Sequence, residues 1–166
     1  SSMRPDRATS LLVLVTRDCL FRCVSCAMLR EPRAISPDTL RQGVELLLRE
    51  PGPLELQYFG GEPLLEYELV RRGAVEAAAR ARARGLALKQ VVTTSLAPLT
   101  PRRAGELAAL GVEFLVSLDG EFSVHARQRP ARAGDYPWSA LLANLAGLRR
   151  SGAPYTVNML ARPESA

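Results

Sequence analysis

Long hydrophobic runs are missing from this 166-residue sequence: the longest uninterrupted aliphatic stretch is Leu11 to Val15, far short of the roughly 20 apolar residues that span a bilayer. No charged, apolar and small-residue leader precedes it, so the expectation is a cytoplasmic protein that stays out of membranes. Aromatics are scarce at 5%, histidine occurs once, and lysine occurs once among the 22 basic residues. The formal net charge of +5 therefore rests on arginines, many of them (Arg71, Arg72, Arg80, Arg82, Arg84) in an expected helix. Without interleaved aromatics this reads as an arginine-rich solvated surface and argues against nucleic acid as a partner. Low-complexity tracts are absent too, and 47% hydrophobic with 23% charged residues is an ordinary globular composition.

Residues 1–10 are expected to be an N-terminal extension, with Ser1-Ser2 before Met3 having the form of a tag remnant, and residues 11–166 to form one core unit. Leu11 to Thr16 reads as a short strand buried on both faces, and Leu54 to Phe59, Leu86 to Thr93, Val112 to Leu118 and Tyr155 to Leu160 read as four further strands. Between them lie amphipathic helices. Ser36-Pro37 and Thr100-Pro101 supply caps with a first-turn proline, a long helix starts near Leu65, and Gly85, Gly111 and Gly152 mark helix ends. Gly120 to Pro137 reads as a loop, followed by a helix carrying Leu141, Leu142, Leu145 and Leu148. This alternation predicts an α/β fold with about five parallel strands, either doubly wound or a partial barrel.

All three cysteines fall in one octapeptide, Cys19 to Cys26, with the spacing C-x3-C-x2-C. Three thiolates on a short loop can wrap one face of an iron–sulfur cube and leave one iron open, whereas structural zinc takes four closed ligands. The odd count favours the open cluster. A zinc site completed by His125 and three thiols buried as small apolar groups are the alternatives.

Gly60-Gly61-Glu62-Pro63 follows the second strand, with two glycines that permit a sharp bend and a carboxylate suited to a cation. With the cysteine loop, Thr93-Thr94-Ser95, Ser117-Leu118-Asp119-Gly120 and Asn158, it falls at or near the C-terminal ends of successive strands. That is where α/β sheets and barrels gather ligand sites. Asp119-Gly120 reads as a turn, His125 as a structural hydrogen-bonding group, and Trp138 as core.

The cysteine loop after strand one and the Gly-Gly-Glu-Pro turn after strand two together resemble the radical S-adenosylmethionine (radical SAM) enzymes. Tyr58-Phe59-Gly60-Gly61-Glu62-Pro63-Leu64-Leu65 and Ser117-Leu118-Asp119-Gly120 with His125 and Arg129 resemble most the SPASM and anaerobic sulfatase-maturase branch, which modifies peptides and proteins. The resemblance covers about Leu11 to Leu160. It implies a partial (β/α) barrel in which Cys19, Cys23 and Cys26 bind a four-iron four-sulfur cluster and S-adenosylmethionine chelates the open iron. Gly60, Gly61, Glu62 and Pro63 would hold the cofactor's ammonium end, with Glu62 accepting charge-assisted hydrogen bonds. Thr94, Ser117 and Asn158 would approach its carboxylate or ribose, and Arg129 would pair with a carboxylate.

The resemblance further implies reductive cleavage of S-adenosylmethionine to a 5′-deoxyadenosyl radical, an external electron donor, and a peptide or protein substrate. Departures fall in the adenine and ribose region: Ser25 replaces the usual aromatic residue before the third cysteine, Leu20 replaces a common Asn, and Ser95-Leu96 stands where a Thr-Asn-Gly type sequence is usual. The family core has six units and this sequence supplies five strands, so the expectation is a barrel incomplete at its C-terminus, relying on a partner chain or a missing C-terminal domain. No cysteine follows Cys26, which leaves no ligands for auxiliary clusters. The alternatives are a degenerate cluster- or cofactor-binding module and an enzyme like the molybdenum-cofactor cyclases.

Overall fold

The computed structural model describes residues 9–161. Five strands, β1 (Thr9–Thr16), β2 (Leu54–Gly60), β3 (Leu88–Thr94), β4 (Val112–Ser117) and β5 (Tyr155–Asn158), form one parallel sheet in sequential order. A doubly wound sheet would reverse its order at some strand. The unbroken order instead makes this the open arc of a barrel, with every strand end on the same rim.

Helix α1 (Pro37–Leu47) starts where the sequence indicates: the Ser36 hydroxyl accepts the Thr39 amide at 3.0 Å, and Pro37 occupies the first turn. Its Leu40, Val44 and Leu47 are buried against the sheet's outer face. Helix α2 (Tyr67–Ala83) buries a stripe of small residues, Gly73, Ala74, Ala77 and Ala81, and so approaches the sheet closely. Helix α3 (Pro101–Ala109) is capped by Thr100 and buries Ala104 and Leu107. The core between helices and sheet contains Val15, Leu56, Tyr58, Val92, Phe114 and Val116, all at or near zero exposure.

Three expectations about elements change. The segment 120–137 is not a plain loop, because it contains α4 (Phe122–Gln128) before α5 (Trp138–Ser151). Two turns are too short for a recognisable apolar period; α4 is held by its buried His125, packed among Phe21, Tyr136 and Trp138. The helix expected from Leu65 begins instead as a 3₁₀ turn, Pro63–Glu66, before the α-helical geometry sets in at Tyr67. Thr9 and Ser10 belong to β1 rather than to an extension, Thr9 and Leu54 being register partners. Residues 1–8 of the expected extension lie outside the described residues. Among the described residues no helix is long and apolar enough to cross a membrane.

Candidate functional site

The site begins where β1 ends. Thr16 pairs with Gly60 after a register shift, and the Gly61 and Glu62 amides donate to the Thr16 and Asp18 carbonyls, both at 2.8 Å. This fixes the base of the cysteine loop against the glycine turn. The glycines are required by the chain's own packing: a Cβ on Gly60, whose φ is +147°, would overlap the Thr16 carbonyl oxygen, and one on Gly61 would overlap that of Asp18.

The far side of the cysteine loop is tied to a segment more than a hundred residues downstream. Arg22 donates to Pro130 O at 2.8 Å, Val24 to Gln128 O at 2.9 Å, and Arg132 to Leu20 O at 2.8 Å, around an antiparallel bridge between Phe21 and Ala131. Arg30 Nε caps the Phe21 carbonyl at 2.9 Å, and Arg132 pairs with Asp18. The three cysteines carry free thiols, with Cys19 and Cys23 half-buried and Cys26 exposed. Burial pushes the Cys19 and Cys23 thiols up; the Arg129 guanidinium works against this at Cys23.

Cys19, Cys23 and Cys26 line one cavity of about 240 Å³ together with Gly60, Gly61, Glu62, Thr94, Ser117 and Arg129. Phe21, Ser25, Met28, Arg30, Phe59, Thr93 and Ser95 complete its wall. Two expected residues are elsewhere. Pro63 is buried in the 3₁₀ turn behind the cavity, and Asn158 is exposed on β5, where its carbonyl accepts the Leu118 amide at 3.1 Å.

Glu62 lines the cavity but is 1% exposed, and its carboxylate is already engaged. Oε1 accepts from the Leu64 amide at 3.2 Å and the Thr94 hydroxyl at 2.8 Å, while Oε2 accepts from the Ser95 amide at 2.8 Å and hydroxyl at 2.6 Å. Burial pushes the Glu62 carboxyl up against the pull of these hydrogen bonds. Thr94 is likewise committed, donating to Glu62 and accepting from the Leu96 amide at 3.0 Å. Leu96 adopts φ +66°, the left-handed conformation for which glycine or asparagine is the ordinary choice. The unusual Ser95-Leu96 pair is therefore visible as local strain.

Asp119 is more than a turn residue. Its fully buried side chain receives Arg129 Nε at 2.6 Å and Nη2 at 2.9 Å, and the Leu160 amide at 2.9 Å. Burial raises this carboxyl, but Arg129 and the Leu160 amide outweigh it and hold it below the usual carboxylate range. The carboxylate paired with Arg129 thus belongs to this chain.

His125 completes no metal site. Its Nδ1 accepts the Asp119 amide at 3.1 Å, which leaves the proton of a neutral ring on Nε2, and the ring is sealed among aromatics. Among the described residues no three His, Cys, Asp or Glu side chains converge on the position of a single ion. Burial, then the Arg129 charge, depress the histidine's affinity for a proton. The folded state therefore resists a proton that the unfolded chain accepts near pH 6.5, and stability falls as pH drops below about 6.5, by at most about 1.4 kcal/mol per pH unit until the folded-state pKa is passed. Urea titrations at pH 7 and pH 5 measure this. His125→Asn, which keeps an acceptor for the Asp119 amide, is expected to flatten that slope, and an unchanged slope would assign it to other groups.

Comparison with known proteins follows the same lines. The model of the radical SAM superfamily matches residues 13–165. No curated protein matches. A solved structure of native anSMEcpe with bound AdoMet and Cp18Cys peptide superposes with a TM-score of 0.80 at 18% identity, covering 91% of this chain and 42% of that one. SuiB from Streptococcus suis gives 0.70 at 15% identity, over 95% of this chain and 34% of that one. TsrM, a radical S-adenosylmethionine methyltransferase from Kitasatospora setae solved with cobalamin and a 4Fe-4S cluster, gives 0.64 at 18% identity, over 90% of this chain and 30% of that one. The sequence thus spans less than half the length of these chains. With the match running over nearly its whole length, and with the cysteine loop, glycine turn and strand ends on one rim, the chain belongs to the radical SAM superfamily.

Proposed function

We propose that the chain from Thr9 onward is the S-adenosylmethionine-cleaving core of an enzyme, and that Cys19, Cys23 and Cys26 hold a four-iron four-sulfur cluster. The observation that carries this reading is the single cavity lined by all three thiols and by the Gly60–Glu62 turn. The donor set fits: three soft thiolates around one cavity, with the Glu62 carboxylate committed to four donors and the His125 ring packed among aromatics, suit a cluster with one open iron better than a closed zinc site. When bound, cluster and cofactor supply one-electron cleavage of a carbon–sulfur bond, with release of methionine and formation of a 5′-deoxyadenosyl radical.

The protein's part is to position and shield this chemistry. Backbone groups of Gly60 and Gly61 face the cavity at the end of β2, where they would take the cofactor's amino group. Glu62 would act there mainly by fixing the Thr94–Leu96 backbone, since its oxygens already have four donors. Ser117 would meet the ribose or carboxylate from the end of β4. Ser25 and Phe59 line the wall left open by the missing aromatic before Cys26. A peptide or protein substrate is supported by the likeness to anSMEcpe, which was solved with a peptide bound. An external one-electron donor completes the requirement.

The test is anaerobic reconstitution with iron and sulfide, reduction in the presence of S-adenosylmethionine, and mass-spectrometric detection of 5′-deoxyadenosine. Cys23→Ala is expected to lose bound iron, sulfide and product together. Full iron and sulfide in that variant would overturn the cluster assignment, and a colourless wild-type protein holding zinc would replace it with the zinc reading.

A further inference from the structure

Arg129 occupies a position that a general role in cofactor binding does not explain. The bridge between Phe21 and Ala131 sets an antiparallel register in which residue 129 stands opposite residue 23. The hydrogen bonds agree with it: the amides on either side of Cys23, those of Arg22 and Val24, donate to the carbonyls on either side of Arg129, those of Pro130 and Gln128. Backbone pairing therefore places the arginine beside the middle cysteine whatever rotamer it takes. The side chain follows, with Nη1 4.0 Å from Cys23 Sγ.

The rest of the guanidinium is locked. Nε and Nη2 form a two-pronged pair with the Asp119 carboxylate, which is itself 0% exposed and further held by the Leu160 amide. Arg129 closes its own backbone by donating to His125 O at 2.8 Å and accepting from the Tyr136 hydroxyl at 3.0 Å. A cation beside the Cys23 sulfur and the anion that holds it are thus fixed in a partly water-excluded place, where charge interactions are screened less than at the surface.

We propose that Arg129, held by Asp119 opposite Cys23, is a positioning residue that sets the reduction potential of the iron–sulfur cluster. The inference rests on the cluster reading above. Three thiolates make the cluster anionic, and one-electron reduction adds a further negative charge. A fixed cation beside a ligand sulfur stabilises the reduced form more than the oxidised one, and a fixed anion does the reverse. The pair therefore works as two opposed settings, with the arginine acting from beside the Cys23 sulfur and the aspartate through its hold on the arginine.

The experiment is a redox titration of the reconstituted protein without S-adenosylmethionine, using dithionite and mediators and following visible absorbance and the paramagnetic signal of the reduced cluster. Arg129→Gln is expected to lower the midpoint, cutting the ratio of reduced to oxidised cluster at a fixed potential about tenfold, which is 59 mV for a one-electron couple. Asp119→Asn, which can still accept from the guanidinium, is expected to raise it. Arg129→Lys keeps the charge and should stay nearer to wild type than Arg129→Gln. Midpoints that coincide with wild type, or that move in the same direction in both charge-removing variants, would overturn the inference while leaving the cluster reading intact. If Arg129→Gln does not fold, Asp119→Asn decides alone: a raised midpoint supports the proposal and an unchanged or lowered one overturns it. A wild-type protein that assembles no cluster would overturn both readings.

Discussion

Gly61→Ala is expected to lower the urea midpoint of unfolding steeply, or to leave a protein whose cysteine loop no longer meets the glycine turn. A Cβ at Gly61 overlaps the Asp18 carbonyl oxygen and comes within 2.9 Å of Arg17 O. Both atoms are backbone, so no rotamer change relieves the overlap. The same approach carries the hydrogen bonds from Gly61 to Thr16 and from Glu62 to Asp18, which would break as the chains separate. The cost should be on the order of 3 to 5 kcal/mol, a large share of the 5–15 kcal/mol that stabilises a typical domain. Gly105→Ala supplies the contrast: it lies inside α3 with nothing within 4 Å of an added Cβ, and should gain about 0.5 to 1 kcal/mol from helix propensity. Urea midpoints of the two variants are expected to move in opposite directions, and a Gly61→Ala midpoint at the wild-type value would show that the two turns separate without cost.

The second large effect is expected at Glu62. Truncation to alanine leaves four donors around a buried hole, and two of them, the Leu64 and Ser95 amides, cannot turn to other partners. At roughly 1–3 kcal/mol for each buried group left unsatisfied, offset in part by removing a buried carboxylate, the net loss should be about 2 to 4 kcal/mol. The loss is also local. Leu96 holds its left-handed backbone through the Thr94 hydroxyl below it and the Asn144 side chain, which donates to Leu96 O at 2.9 Å. Without Glu62 the Thr94 hydroxyl loses its acceptor, and the strained turn is free to relax into the cavity. Cluster content is expected to stay near wild type, because no cysteine depends on Glu62 for a hydrogen bond, while S-adenosylmethionine binding measured by equilibrium dialysis should weaken by tenfold or more. Glu62→Gln should fall between, since its amide oxygen serves one pair of donors while its NH₂ faces the other pair. A variant series with unchanged stability and unchanged binding would rule out the bracing role.

What could be read in advance divides by range along the chain. Ser36 and Thr100 with their following prolines cap α1 and α3, and the alternation of strands and helices gives the sheet, because caps and periodicity are properties of neighbouring residues. The cysteine spacing and the glycine turn are also local, and both line the cavity. What escaped is long-range. Nothing near Asp119 reveals that Arg129 will claim it; a short Asp-Gly sequence has the same form as any turn. The ladder from Leu20–Val24 to Gln128–Arg132 has no strand-like alternation on either side, since each side contributes only a few residues and the cysteines interrupt any pattern. Helix α4 escaped for the same reason: its stability comes from His125 packed against Phe21, a contact across a hundred residues, rather than from its own composition. Pro63 and Asn158 have motif positions, yet neither lines the cavity, because a motif gives a residue's place in the chain and not the direction in which the fold turns it.

The ladder between the cysteine loop and Arg129 also has a consequence for biosynthesis. The two segments that fix the loop are synthesised well apart in time: Cys23 precedes Arg129 by 106 residues, which at ~5–20 residues per second is about 5–20 s of ribosome time. For that interval the three thiols are attached to a nascent chain with no downstream strand to shape them and no guanidinium beside Cys23. Iron and sulfide delivered then would meet an unformed site open to adventitious metals and oxidants. The order of events favoured by this topology is sheet first and metal afterwards, so cluster loading would be a late maturation step on a chain already folded past its fourth strand.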